Sequence, residues 1–266
     1  MAAQQQALTQ LLSLQGRRAM ITGAAAGIGE AIAYRFAEAG ADLELVDLDE
    51  RRLAAVAERA EDFGVKAQTH VVDLSSKAAI DELWASLGAH VPDILVNNAG
   101  VYPFRGFLEV DETFYRWVMQ TNLSSVYWMC QHLIRRRLRR GGVIVNVGSI
   151  EAAMPFKADL AHYSVSKAGV IALTRALAKE HGKHGFRVNA VVPGGIITQG
   201  TRSAAKGLLR LRFGLIRTAI DFRRRLPIGR FGKPDEVARV VLVLASDLAS
   251  YVHGAAVPVD GGFLSA

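Results

Sequence analysis

Ala19-Met20-Ile21-Thr22-Gly23-Ala24-Ala25-Ala26-Gly27-Ile28-Gly29 reads as a short β-strand running through a glycine-rich turn into a helix. The helix continues from Ile28 to Ala39 and stops at Gly40, a residue suited to a helix C-terminus. Glycines at 23, 27 and 29 permit a tight turn and let backbone amides approach a pyrophosphate at the positive end of that helix. The spacing is G-x-x-x-G-x-G rather than the commoner G-x-G-x-x-G, and glycines also mark ordinary turns, so the surrounding elements decide the matter.

Outward from this unit the chain keeps alternating. Strands are predicted at Leu43-Glu44-Leu45-Val46, Val71-Val72, Ile94-Leu95-Val96, 143–147, 188–192 and 256–259, with helices near 50–63, 76–89, 111–139, 162–184 and 234–247. Strict β–α alternation predicts a Rossmann-like, doubly wound parallel sheet with helices on both faces. Neither a repeat nor a linker divides the chain, so a single domain over 1–266 is expected. Glu44 is awkward in a strand covered on both faces, and an edge-facing position is expected for it.

In such a sheet ligands bind beyond the carboxyl ends of the strands. Asp47 ends the second strand, eighteen residues past Gly29, where an acid can accept the ribose hydroxyls of NAD. A helix N-cap is the alternative use of an aspartate there, and Asp49 suits that better. Asp73, after the third strand, lies near an adenine or serves the dipole of the next helix. Asn97-Asn98-Ala99-Gly100 follows the fourth strand and Ser149 the fifth. Tyr163 and Lys167 then share one face of the next helix through their i, i+4 spacing. A nearby cation favours phenolate, so Tyr163 is expected to be lowered toward working pH and to exchange a proton with an alcohol or ketone. Taken alone, an incidental pair on a surface helix is the plainer reading.

Composition narrows the classes. Half of the 266 residues are hydrophobic and 21% are charged, as in a compact globular protein. The amino terminus lacks the basic and apolar regions of a signal peptide, and no run of eighteen apolar residues exists, so a cytoplasmic protein with no membrane span is expected. Cys130 is the only cysteine and lies in an apolar run, which suits a buried residue in a reducing compartment. No metal signature appears; His181 and His184 straddle Gly182 at a helix end and read as a solvated pair. The formal charge of +7 sits in one stretch, where Arg202, Lys206, Arg210, Arg212, Arg217, Arg223, Arg224 and Arg225 face only Asp221. Without stacking aromatics or a nucleic-acid module, no nucleic-acid partner is expected.

The order of TGAAAGIG, Asp47, Asp73, NNAG, Asn122, Ser149, YSVSK, Pro193-Gly194-Gly195-Ile196-Ile197-Thr198, GKPDEVA and VDGG resembles the short-chain dehydrogenase/reductase family over almost the whole chain. The resemblance implies an NAD-dependent oxidoreductase for a small secondary alcohol, such as a polyol, sugar or cyclic alcohol, and its ketone. It implies Tyr163 as acid/base, Lys167 tuning it and holding the nicotinamide ribose, Ser149 on the substrate oxygen, and Asn122 anchoring a proton-relay water. It further implies Gly23, Gly27, Ile28 and Gly29 under the pyrophosphate and Asp73 and Leu74 at the adenine. Asn98, Ala99 and Gly100 would lie on the adenosine side, and Pro193, Gly194, Ile196 and Thr198 toward the carboxamide.

Two departures stand out. Gly148 replaces a serine that many relatives carry, and Ser149 to Tyr163 spans 14 residues, about one more than usual. The variable substrate lid would fall at about 199–227; a basic amphipathic helix there could instead meet a membrane surface or an acidic partner. Glu151 is a candidate for binding a polyhydroxy substrate, and Tyr102, Pro103, Phe104, Phe156 and His162 for lining the pocket. A 3-oxoacyl-thioester reductase is the alternative, weakened by Asp47 because such enzymes usually take NADPH; a non-catalytic dinucleotide sensor ranks below both. Trp117, Val118, Tyr127, Trp128 and Met129 exceed one buried stripe, so a homotetramer joined through these helices is expected, as in the family.

Overall fold

In the computed structural model, which describes residues 6–198 and 222–266, the alternation becomes a seven-stranded parallel sheet. The strands are β1 (Arg18–Thr22), β2 (Asp42–Asp47), β3 (Ala67–Val71), β4 (Ile94–Asn97), β5 (Gly142–Val147), β6 (Phe186–Pro193) and β7 (Ala256–Val259). Their order is β3-β2-β1-β4-β5-β6-β7. The chain winds outward from β1 to β3 and then returns to β4 on the other side, which opens the crevice between the carboxyl ends of β1 and β4.

Side chains alternate across the strands into two cores. On one face Ile21, Leu45, Val96 and Val145 pack against α2 (Gly27–Glu38), α3 (Glu50–Glu61) and α8 (Pro234–Ala245). On the other, Met20, Val46, Leu95, Ile144 and Val188 meet α4 (Lys77–Ser86), α6 (Ser125–Arg137) and α7 (Ala161–His181). Phe36 and Trp84 are fully buried, one in each layer. Each large apolar side chain buried this way stabilises the fold by about 1.5–3 kcal/mol before entropy is counted.

Three details differ from the sequence reading. Glu44 does not face an edge: it is 1% exposed, accepts from His70 Nε2 at 2.7 Å and lies 3.3 Å from an Arg18 guanidinium nitrogen. Its carboxylate tolerates burial because both neighbouring strands supply a partner. The third strand lies earlier than Val71-Val72, since an edge strand open on one side accepts Gln68, Thr69 and His70. The helix expected over 111–139 runs without a gap from Glu112 to Arg137, but a π-helical turn (Gln120–Ser124) joins α5 (Glu112–Met119) to α6. Most of the expected lid, residues 199–221, lies outside the described residues.

Candidate active site

The glycine loop has a separate steric reason at two positions. A Cβ on Gly29 would stand 2.0 Å from the Gly23 carbonyl oxygen, and Gly23 itself has φ +66° with Ala99 against it. Ala26 caps α2 without a side-chain hydrogen bond, so the first amides of that helix are not taken by a capping side chain. The loop is fastened from β4: Asn98 Nδ2 donates to the Thr22 and Gly23 carbonyls, both at 3.0 Å. The Thr22 hydroxyl accepts from the Asn98 and Ala99 amides at 3.0 and 3.1 Å. Sequence reasoning placed Thr22 at the head of the glycine motif but gave it no role; its fastening of the loop to Asn98 and Ala99 emerges only in the fold. From the far end of the chain Thr198 reaches the same loop, 3.3 Å from where a Gly27 Cβ would stand.

At the next strand Asp47 takes the Ala25 amide at 2.9 Å, and the Leu48 and Asp49 amides at 2.7 and 3.1 Å. Asp49 is the N-cap of α3, as the sequence suggested. Asp73 accepts from the Ser75 amide and hydroxyl, while Ser76, not Asp73, caps α4. Leu74 buries its side chain in the core, so what it offers at the site is backbone. Gly194 follows β6 with no room for a Cβ, which would stand 2.7 Å from Asp260 Cα. Ile196 is buried and bridges to Gly232.

The second half of the site lies beyond β5. Ser149 opens a 3-10 turn (Ile150–Ala152), its hydroxyl accepting from the Glu151 amide at 3.2 Å, and it lies near enough to the Tyr163 phenol to favour its charged form. The altered spacing before Tyr163 therefore leaves the pair together. Burial pushes the phenol up to about 12, with the nearby Ser149 hydroxyl opposing and Glu151 adding to the rise. This is opposite to the expected lowering, because desolvation is the largest cause and the Lys167 cation does not figure among the causes. Lys167 is 4% exposed and donates to the Val147 carbonyl at 2.8 Å, and burial brings its ammonium down to about 8. Its Nζ stands 5.9 Å from the Tyr163 ring centroid.

Asn122 sits in the π-helical turn, fully buried. Its Oδ1 accepts from the Val101 amide, and its Nδ2 donates to the Val101 carbonyl and to Ser166 Oγ, at 2.8, 2.8 and 3.2 Å. A Cβ on Gly100 would lie 3.2 Å from Asn122 Oδ1 and 3.4 Å from Lys167 Nζ, so both polar groups converge on that glycine.

The expected pocket residues divide. Tyr102 packs against Tyr163 at 6.1 Å, and Phe156 stacks edge-on with Phe222 and Phe263. His162 instead is buried, donating to the Pro103 carbonyl at 2.8 Å with its ring against Phe114. Glu151 is also buried and accepts from the Phe156 amide at 3.0 Å, so its carboxylate already serves the loop that carries Phe156. Cys130 is buried, its thiol pushed up to about 12 by desolvation, as expected of a packing residue. The His181 and His184 rings lie 6.0 Å apart, and the described residues contain no metal-holding group of three ligands. No helix among them is long and apolar enough to cross a membrane.

This arrangement can hold a dinucleotide at the glycine loop and move a proton at Tyr163. The family model described as enoyl-(acyl carrier protein) reductase matches residues 23–264. A 3-oxoacyl-[acyl-carrier-protein] reductase FabG of Chlamydia pneumoniae is 37% identical over 94% of this chain and 98% of its own length. The galactitol 2-dehydrogenase (L-tagatose-forming) of Cereibacter sphaeroides is 39% identical over 94% of this chain and 96% of that protein. Among solved structures, L-sorbose reductase from Gluconobacter frateurii, complexed with NADPH and L-sorbose, is 32% identical with a TM-score of 0.89 over 96% of this chain and 99% of that one. With fold, motif order and near full-length identity in agreement, the chain belongs to the short-chain dehydrogenase/reductase family, as an oxidoreductase.

Proposed function

We propose that this oxidoreductase interconverts a secondary alcohol of a polyhydroxy or cyclic substrate and its ketone, with NAD(H) as cofactor and Tyr163 as acid/base. The observation that carries the reading is the convergence of Ser149, Tyr163 and the buried Lys167, whose ammonium nitrogen stands 5.9 Å from the Tyr163 ring centroid. The glycine cradle, the α2 amides and Asp47 are suited to the pyrophosphate and adenosine ribose. Asp73, Leu74, Asn98, Ala99 and Gly100 would border the adenosine half; Tyr163, Lys167, Pro193, Gly194, Ile196 and Thr198 would border the nicotinamide half. When bound, the nicotinamide dinucleotide supplies or accepts the hydride.

The chain's own residues handle the proton. In reduction Ser149 donates a hydrogen bond to the ketone oxygen, and the Tyr163 phenol transfers its proton to that oxygen as it gains charge. A phenol raised to about 12 rests in the protonated form that reduction consumes. Lys167, beside Asn122 at Gly100, is positioned to return a proton to Tyr163. Oxidation of the alcohol runs the same transfers backward. The finer assignments, an NAD preference, a homotetramer and a cytoplasmic location, rest on Asp47, on the exposed aromatic side chains of α5 and α6, and on the lone buried thiol.

The 37% identity to a 3-oxoacyl-[acyl-carrier-protein] reductase favours a second reading, reduction of a 3-oxoacyl thioester. Initial rates on one panel separate the two: alditols and cyclic alcohols with NAD, ketoses with NADH, and acetoacetyl-CoA with NADH and NADPH. The first reading expects a polyol, ketose or cyclic alcohol to give the highest kcat/KM. A value for acetoacetyl-CoA larger by about a hundredfold, some 2.7 kcal/mol of transition-state discrimination, establishes the second.

A further inference from the structure

One cation beside the proton-transfer site has no role in the chemistry so far. Lys157 lies in the loop leading to α7, and that loop and the start of α7 are each tied to residues 102–105. The Arg105 amide donates to the Asp159 carbonyl of the loop at 3.0 Å, and His162 Nε2, in the first turn of α7 just after it, donates to the Pro103 carbonyl at 2.8 Å. Asp159 holds φ +64°, a left-handed turn for a side-chain-bearing residue, as the chain bends back toward α7. Lys157 Nζ stands 5.6 Å from the Phe104 ring centroid. Phe104 packs edge-on against Tyr102 at 6.1 Å, and Tyr102 packs against Tyr163 at 6.1 Å. An aromatic wall therefore runs from the reacting phenol to the ammonium.

Electrostatics link the same groups by a second route, since Glu151 acts through space on both Tyr163 and Lys157. Glu151 does not neutralise the ammonium at contact. Its carboxylate is held by the Phe156 amide at 3.0 Å, and among the described residues no carboxylate lies within ion-pair distance of Lys157 Nζ. An exposed ammonium set over a ring face without a contact anion gains when an anion arrives. Arg225, with its guanidinium 5.6 Å from the Phe156 ring, adds a second positive charge beside the same loop.

We propose that Lys157 is a specificity residue whose ammonium receives the carboxylate of an open-chain polyhydroxy acid, while that substrate's secondary alcohol or ketone is held at Ser149 and Tyr163. The assignment rests on the polyhydroxy reading above and narrows it to sugar acids. A phosphate ester of the same sugar would meet the same ammonium and guanidinium, so it is measured as a separate arm.

The test pairs acids with neutral counterparts of the same stereochemistry: D-gluconate with D-glucitol, and D-galactonate with galactitol, with D-glucitol 6-phosphate added. Rates with NAD are measured for wild type, Lys157→Gln, Lys157→Arg and Lys157→Glu. Wild type is expected to favour an acid over its alditol by about tenfold or more in kcat/KM, and Lys157→Gln to cut that ratio by about tenfold through KM. Lys157→Arg keeps the ratio within about threefold, and Lys157→Glu carries it below that of Lys157→Gln. Equal use of acid and alditol, a preference for the phosphate ester, or an equal loss on both members of a pair in Lys157→Gln overturns the assignment while the polyhydroxy reading stands. Turnover of no member of any pair overturns the polyhydroxy reading, and the carboxylate assignment with it.

Discussion

The Asp47 carboxylate accepts the Ala25 amide at 2.9 Å, so the residue that closes β2 also fastens the glycine loop that follows β1. Its other oxygen takes the Leu48 and Asp49 amides. Three amide bonds hold the negative charge in one place, beside the loop suited to a dinucleotide.

That placement predicts cofactor choice. A 2′-phosphate brought within a few ångströms of Asp47 would lose hydroxyl hydrogen bonds and meet like charge, worth a few kcal/mol at an effective dielectric near 20. Ala26 and Leu48 supply no compensating cation, and Arg52 is engaged with Asp49 at 3.3 Å. NADH should therefore exceed NADPH in kcat/KM by about a hundredfold or more. Asp47→Asn, which keeps an amide oxygen for Ala25, should narrow the gap by at least tenfold. Equal use of the two cofactors by wild type would falsify the role given to Asp47.

Tyr163→Phe keeps the ring packing against Tyr102 and removes the titrating oxygen near Ser149. It should fold, bind NADH within about threefold of wild type and lose at least about 99% of turnover. Fluorescence titration and initial rates check both halves; a variant keeping more than about a tenth of the rate removes Tyr163 from the acid/base role.

The resting phenol should titrate late. In the protein without cofactor, the 295 nm difference between wild type and Tyr163→Phe should appear only as pH approaches about 12, the value to which burial pushes the group. Between the ordinary phenol value of 10.0 and about 12 the folded chain retains a proton that the unfolded chain releases. Wild type should accordingly lose stability relative to Tyr163→Phe as pH rises through that window. A difference spectrum complete by pH 10 contradicts this.

Lys167 has the opposite linkage. Its folded value of about 8 lies below the ordinary 10.5, so the unfolded chain binds more protons across that interval and wild-type stability rises with pH there. Replacing the buried cation in Lys167→Met should lower turnover by about a hundredfold or more yet hold or raise Tm near pH 7. That Tm advantage should shrink from pH 8 to 10.5. Thermal melts across pH with no change in the difference between the two proteins would show that burial does not depress the ammonium.

The exposed aromatic residues of α5 and α6 bear on assembly. Trp117 and Tyr127 are exposed, whereas Val118 and Met129, grouped with them on sequence grounds, are fully buried within the protomer. A homotetramer covering Trp117 and Tyr127 should scatter light at four times the chain mass, and Trp117→Asp with Tyr127→Lys should drive it to smaller species. A wild-type monomer at micromolar concentration ends the idea.

Hydrophobic periodicity and glycine placement by themselves determined the parallel α/β alternation, the loop at Gly23–Gly29, the strand-end positions of Asp47 and Ser149, and the helical pairing of Tyr163 with Lys167. These are local backbone properties, and each is written within a few residues of where it acts. Tertiary packing decided the rest. Asn122 sits in a π turn of an otherwise α-helical stretch, with its amide bonded to Val101 and Ser166, 21 and 44 residues away. Glu44 is buried because Arg18 and His70 arrive from the two neighbouring strands. His162, adjacent to Tyr163 in sequence, is turned to Pro103 and Phe114. The Tyr163 phenol is raised rather than lowered because its charge is governed by how much water surrounding elements exclude. Spacing along a helix identifies its neighbours; desolvation is set by the whole fold.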